Sequence, residues 1–260
     1  MKIFVMVDME GISGICRKSQ VLPGGEHYEQ GRRYLTWDVN ACVDGCFAGG
    51  ATEVIVRDAH GNGYHFIWHE LDERGSYIQG RSPRKRMPGI DSCDGLILLG
   101  YHAMAGTRAA ILEHTMSSLS WQNFWMNDEK AGEIAIDAGI AGDAGVPVLM
   151  ISGDNKACAE ADTIIPHIVA VETKRGLDIE GGILLPMERA HEAIRSGAKK
   201  AVADSDRKEP YRISRPVEMR LELVSRGHVP VDRPGVSAID GRTYSVHAPN
   251  VEAALKLLIA

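Results

Sequence analysis

The chain carries its apolar residues in three rhythms, and each predicts a different kind of element. In the first they run almost unbroken: Lys2-Ile-Phe-Val-Met-Val, Glu53-Val-Ile-Val, Asp94-Gly-Leu-Ile-Leu-Leu and Val146-Pro-Val-Leu-Met-Ile-Ser152. Short runs with so little alternation predict strands covered on both faces. In the second rhythm apolar residues return every three or four positions. Leu35, Val39, Cys42, Val43 and Cys46 do so between residues 28 and 47, and Gly49-Gly50 closes the segment, which predicts a helix. Strand, helix and strand in that order form a βαβ unit, so the flanking strands are expected to be parallel. Further helices are expected over 187–202, with Ala190, Ile194, Ala198 and Ala201 on one side, over 251–259, and from Glu133 to about 142–145.

The third rhythm is strict alternation. Val217, Met219, Leu221 and Leu223 alternate with charged partners, the mark of a half-exposed strand in a second, smaller sheet. Weaker signals are a polar and aromatic strand within 115–126, turned back at Asn127-Asp128, a short strand at 168–171, and an extended piece around Ile78. The pattern predicts an α/β fold: a mostly parallel central sheet flanked by helices, with a smaller C-terminal α+β portion. The expected division is a core over 1–205 and a lobe over 206–260, packed as one structural unit.

Chemistry gathers where the unbroken runs end. The first runs into Asp8-Met-Glu10-Gly11, the second into Asp58-Ala-His60, and the third into Gly100-Tyr-His102. In open α/β sheets ligands collect outside the carboxyl ends of the strands. Asp8, Glu10, His60 and His102 form a hard oxygen and nitrogen donor set that suits zinc, manganese or cobalt better than magnesium or copper. Glu133, read alone, is a carboxylate in the first turn of a helix, where the dipole favours negative charge. Asp154, at the end of the fourth run, is a reserve candidate, and Asp232, Asp240 and His247 read as surface residues.

Composition narrows the partners. The 260 residues are 44% hydrophobic and 25% charged, ordinary for a globular protein large enough to bury a substantial core. No stretch reaches the roughly 18 apolar residues of a membrane span, and Asp8 and Glu10 interrupt the opening run too early for a signal peptide. No membrane partner and a cytoplasmic location are expected. A formal charge of -6 argues against nucleic acid, and Arg81-Ser-Pro-Arg84-Lys85-Arg86 reads as a loop surface. The five cysteines include no C-x-x-C pair and read as core or incidental thiols, with Cys16 nearest the strand-end cluster.

The blocks Val7-Asp8-Met-Glu10-Gly-Ile-Ser-Gly14, Asp58-Ala-His60, Gly100-Tyr-His102-Ala, His114 and Asn127-Asp-x-x-x-Gly132-Glu133 resemble the D-aminopeptidase family of zinc metallopeptidases. The resemblance runs from residue 1 through the fourth strand and less distinctly to the C-terminus. It implies two zinc ions per subunit, with manganese or cobalt as substitutes, and a homodecamer of two stacked pentameric rings acting on short peptides. It further implies that Asp8 bridges the ions, that Glu10 and His60 complete one, and that His102 and Glu133 complete the other. His114 matches the family's non-ligating active-site histidine. The reaction so implied is release of N-terminal D-amino acids such as D-Ala from peptides or amides. The rival readings are a dinuclear metal phosphoesterase, which needs a basic clamp from Arg57, Arg108 or 84–86, and a metal-stabilised binding protein. No G-x-S-x-G elbow supports a serine nucleophile.

Overall fold

The computed structural model describes residues 1–82 and 85–260. The chain enters with β1 (Lys2–Val7), makes the single turn α1 (Lys18–Val21) and the long α2 (Tyr28–Ala48), and returns in β2 (Glu53–Asp58). Strands β3 (Ser76–Ile78) and β4 (Gly95–Tyr101) follow, then β5 (Trp121–Met126) and β6 (Glu129–Lys130). Next come α3 (Glu133–Asp143), β7 (Val148–Asp154), α4 (Asn155–Ile164), β8 (Val169–Asp178), β9 (Gly181–Leu184) and α5 (Met187–Ala203). The last elements are β10 (Val217–Leu223), β11 (Val236–Ala238), β12 (Thr243–Ala248) and α6 (Val251–Ile259).

Seven strands form the central sheet in the order β3-β2-β1-β4-β7-β8-β9. All neighbours are parallel except β8 and β9. The unbroken apolar run of β1 follows from burial on both faces. Ile3, Val5 and Val7 pack with Leu35, Val39 and Val43 of α2 and Ile194 and Ala198 of α5. Phe4 and Met6 point the other way, into a core shared with α3, α6 and the second sheet. That sheet is antiparallel, β11-β12-β10-β5-β6. The alternation read in β10 is its burial pattern, with Val217, Met219, Leu221 and Leu223 inward and the charged residues between them half-exposed.

The fold class is therefore the one the pattern predicts, with three differences of detail. The second sheet draws β5 and β6 from the middle of the chain, so it takes strands from both sides of residue 205. The β5–β6 turn is the expected one, with Asn127 and Asp128 at φ 48° and 68°, as tight hairpins require. Strand β8 runs ten residues where 168–171 was expected, because its polar stretch Glu172-Thr-Lys174-Arg175 hides Thr173 and Lys174 inside. Pro147 lies just before β7, where its missing N–H costs no ladder bond. All five cysteines are free, and among the described residues no helix is long and apolar enough to cross a membrane.

Candidate metal centre

Parallel register brings the ends of β1, β2 and β4 to one edge of the sheet. Val7 pairs with Asp58 on one side and Leu99 on the other. Beyond the ladder the strands stay laced: Asp8 N–H donates to Leu99 O at 2.9 Å, Ala59 N–H to Val7 O at 2.9 Å and Gly11 N–H to Gly100 O at 2.8 Å. This crossing tolerates no side chain. A Cβ on Gly11 would lie 2.1 Å from Tyr101 O, and one on Gly100, whose φ is +72°, would lie 2.4 Å from Asp8 O. Two glycines thus let the Asp8–Glu10 segment close onto the strand that delivers His102. Glu133 arrives from the first turn of α3, after Gly132, and Met116 N–H donates to its Oε1 at 2.7 Å.

The side chains meet in two trios, Asp8 with Glu10 and His60, and His102 with His114 and Glu133. Within each, one donor atom from every residue lies within 4.8 Å of the others. Asp8 faces both groups. Its Oδ1 is 3.0 Å from His60 Nδ1, and its Oδ2 is 3.2 Å from His102 Nε2. His60 Nδ1 also lies 3.0 Å from Glu10 Oε2, and His102 Nε2 lies 3.3 Å from Glu133 Oε1. Despite these approaches, Glu10 Oε2 and His102 Nε2 are buried without a partner at hydrogen-bonding angles among the described residues. Lone pairs that converge closely without bonding one another fit a divalent cation between them.

Each histidine is oriented by a backbone carbonyl. His60 Nε2 lies 3.0 Å from Val21 O, His102 Nδ1 2.9 Å from Ala103 O, and His114 Nδ1 3.0 Å from Leu112 O. In the neutral tautomer those nitrogens donate outward, and the other nitrogen turns its lone pair into the site, the usual arrangement behind a ligating imidazole. The His114 ring stacks on His102 with centroids 4.0 Å apart, and its Nε2 is 3.9 Å from Glu133 Oε1. Burial raises the Asp8 carboxyl, but the contacts to His102 and His60 outweigh it and hold the group well below the usual range. Burial likewise opposes ionisation of Glu133, yet His102 brings it down to about 2. His60 and His102 shift the other way: the carboxylates overcome burial and raise both. The edge is a concentrated negative field that a metal would neutralise.

Several supporting contacts are not legible in the sequence. Arg86, expected on a loop surface, turns inward. Its Nε and Nη2 bond Asp137 at 2.5 and 2.9 Å, and Nη2 lies 3.4 Å from Glu133 Oε2. Tyr101 OH donates to the same Asp137 at 2.6 Å. Asp137 follows Glu133 by one turn of α3, and that i, i+4 carboxylate pair was the available signal. Arg81 and Lys85 are exposed as expected, while Pro83 and Arg84 lie outside the described residues. The ammonium of Lys174, on β8, is buried and donates to the carbonyls of Glu10, Ile12 and Ile15 at 2.5, 2.9 and 2.6 Å. Burial pulls it down to about 8.

The remaining candidates have structural employment. Asp154 caps α4, accepting from Lys156 and Ala157 N–H, and also holds Ile111 N–H at 2.8 Å. Asp58 pairs with His65 at 2.9 Å, and the His65 ring packs edge-on behind His60. Arg108 is exposed, and so are Asp232, Asp240 and His247. A cavity of about 450 Å³ opens in front of the trios and exposes Glu10 and His114 at its floor. Val21, Leu112, Trp121 and Ile179 supply apolar wall, and Glu113, Glu180 and Lys18 its charge.

The geometry agrees with three comparisons. The peptidase family M55, described as D-aminopeptidase, matches residues 1–260. A D-aminopeptidase of Bacillus subtilis (strain 168) is 32% identical over 212 residues, covering 81% of this chain and 77% of its own length. The solved structure of the Zn-dependent D-aminopeptidase DppA from Bacillus subtilis, a self-compartmentalizing protease, superposes with a TM-score of 0.95. It is 28% identical, and the match covers all of this chain and 96% of that one. Two carboxylate–histidine trios at the sheet edge, on a fold shared over its whole length, place this chain in the D-aminopeptidase family M55, as a metal-dependent hydrolase.

Proposed function

We propose that the chain is a zinc-dependent aminopeptidase that removes N-terminal residues, D-alanine among them, from short peptides or amides. The observation that carries this reading is Asp8, which presents one oxygen to each trio, behind a cavity that Glu10 and His114 line together with Glu113 and Glu180. Asp8 would be shared by two ions, with Glu10 and His60 holding one and His102 and Glu133 the other. When bound there, such a pair would polarise a scissile carbonyl and lower the pKa of a bound water. Glu113 and Glu180 suit the free ammonium of a peptide's first residue, and the apolar wall suits its small side chain. The same carboxylates would repel a phosphate dianion, which disfavours the phosphoesterase reading.

His114 has Nδ1 committed to Leu112 O, so Nε2 is the atom free to take a proton from the attacking water and return it to the leaving amine. A second reading has its own observation. His114 belongs to the same trio as His102 and Glu133, so its Nε2 could instead be a metal ligand. His114→Ala separates them: a catalytic role keeps two zinc ions and loses turnover by 10²-fold or more, whereas a ligand role loses metal. Assembly into two stacked pentameric rings, by family resemblance, would admit short peptides and exclude folded chains, in keeping with the self-compartmentalizing relative.

The direct test is cleavage of paired D- and L-alanyl peptides and amides before and after chelation, with zinc, manganese and cobalt added back. Metal-restored cleavage of the D series is expected. Preference for the L series would discard the stereochemical assignment, and cleavage of a phosphate ester alone would discard the peptidase.

A further inference from the structure

A second cavity, of about 420 Å³, lies against the metal centre but opens elsewhere. Arg57, Arg81, Lys85 and Arg86 line it, and Leu255 and Ile259 of α6 give it an apolar side. Arg57 is its unusual member. It sits on β2 inside the central sheet, with only 8% of its surface exposed, and its Nε and Nη1 are buried without a hydrogen-bond partner among the described residues. A buried guanidinium left unpaired is costly, and natural proteins rarely leave one so.

The nearby carboxylates are already engaged. Asp58 holds His65 through both its backbone N–H and its ring. Asp137 takes Arg86 and Tyr101. Glu252 accepts from Arg86 N–H at 2.8 Å and pairs with Lys256 at 3.4 Å. Asp58 and Asp137 act on the Arg57 charge from a distance, but no described residue bonds its Nε or Nη1. The rim favours access: Gly61 and Gly63, at φ +47° and +74°, put bare backbone at its mouth. Glycines in this conformation commonly allow backbone to approach a ligand closely.

We infer that this cavity binds a small organic anion, a carboxylate or a phosphate, with Arg57 as its principal contact and Arg86 beside it. The inference is independent of the peptidase reading, because none of the proposed metal ligands lines the cavity. The two sites share a wall. Arg86 reaches Glu133, and Met116, whose N–H holds Glu133 Oε1, also lines the cavity. An occupant would therefore sit one residue from the metal centre.

The test is calorimetric titration of zinc-loaded protein with inorganic phosphate and, separately, with succinate, for wild type and Arg57→Gln. Binding by wild type that weakens tenfold or more in the variant supports the site, and whichever anion binds names the class. A phosphate bound only at the metals would bind both proteins alike and overturn it, as would no binding at all. A crystal of the wild-type assembly soaked in selenate gives an answer that does not depend on the variant folding. An anomalous peak within hydrogen-bonding distance of the Arg57 guanidinium supports the inference. A protein carboxylate of a neighbouring subunit seated there overturns it.

Discussion

Glu160 braces both sides of the second trio from outside it. Its Oε2 accepts Met104 N–H at 2.7 Å, just beyond His102, while its buried Oε1 lies where a Cβ on Gly132 would come within 2.8 Å. Burial is the main influence on this carboxyl and pushes it from 4.5 up to about 7. The folded state therefore holds a proton that the unfolded chain releases above pH 4.5. Stability from this group is full below that pH and is lost as pH rises through about 7. The shift corresponds to a change of up to roughly 3 kcal/mol. Glu160→Gln keeps an acceptor for Met104 and cannot ionise, so its denaturation midpoints measured between pH 4.5 and 7 should lose that decline. A wild-type slope in the variant would assign the pH dependence to other groups.

Elements carry the site through their ends, and one of them does so at a distance. Strand β8 contributes none of the proposed ligands, yet Lys174 gathers three carbonyls of the segment that follows Asp8. Lys174→Met would remove the burden of a buried charge and leave those carbonyls unpaired. The two effects oppose, and the net loss should be roughly 1–3 kcal/mol. The sharper readout is zinc affinity, because a loosened Asp8–Glu10 segment should hold its ion at least tenfold more weakly. Wild-type zinc binding in that variant would mean the segment is held by the Gly11–Gly100 crossing alone.

This element also shows where reading the chain stops. The ends of β1, β2 and β4 are legible because an apolar run breaks abruptly at a carboxylate or histidine. Lys174 is not, because a lysine amid Glu172-Thr-Lys-Arg175 looks like solvated surface until the strand is threaded under residues 10–15. Arg86 and Asp137 are hidden for the same reason, since their separation of 51 in sequence vanishes only in three dimensions. Glu133 falls between these cases: local sequence makes it a helix-dipole carboxylate, and only the matched blocks around it single it out.

Across the whole molecule the two trios tie distant parts of the chain together. One comes from residues 8–60 and the other from 102–133, with Asp8 reaching both. Metal bound to the folded state alone stabilises it by mass action, about 2.7 kcal/mol when free metal is a hundred times Kd. Chelation should therefore lower Tm by several degrees, and the midpoint should climb with added zinc. A Tm indifferent to zinc would mean that the folded state binds zinc no better than the unfolded chain does. Asp8 has a further consequence, for populations. A first ion held by that carboxylate would draw down the negative charge that attracts a second and set a divalent cation beside its position, so occupancy of one position should weaken the other. Half-loaded molecules should therefore be common. When metal is limiting, most molecules should hold a single ion, and activity that needs both should lag behind average occupancy.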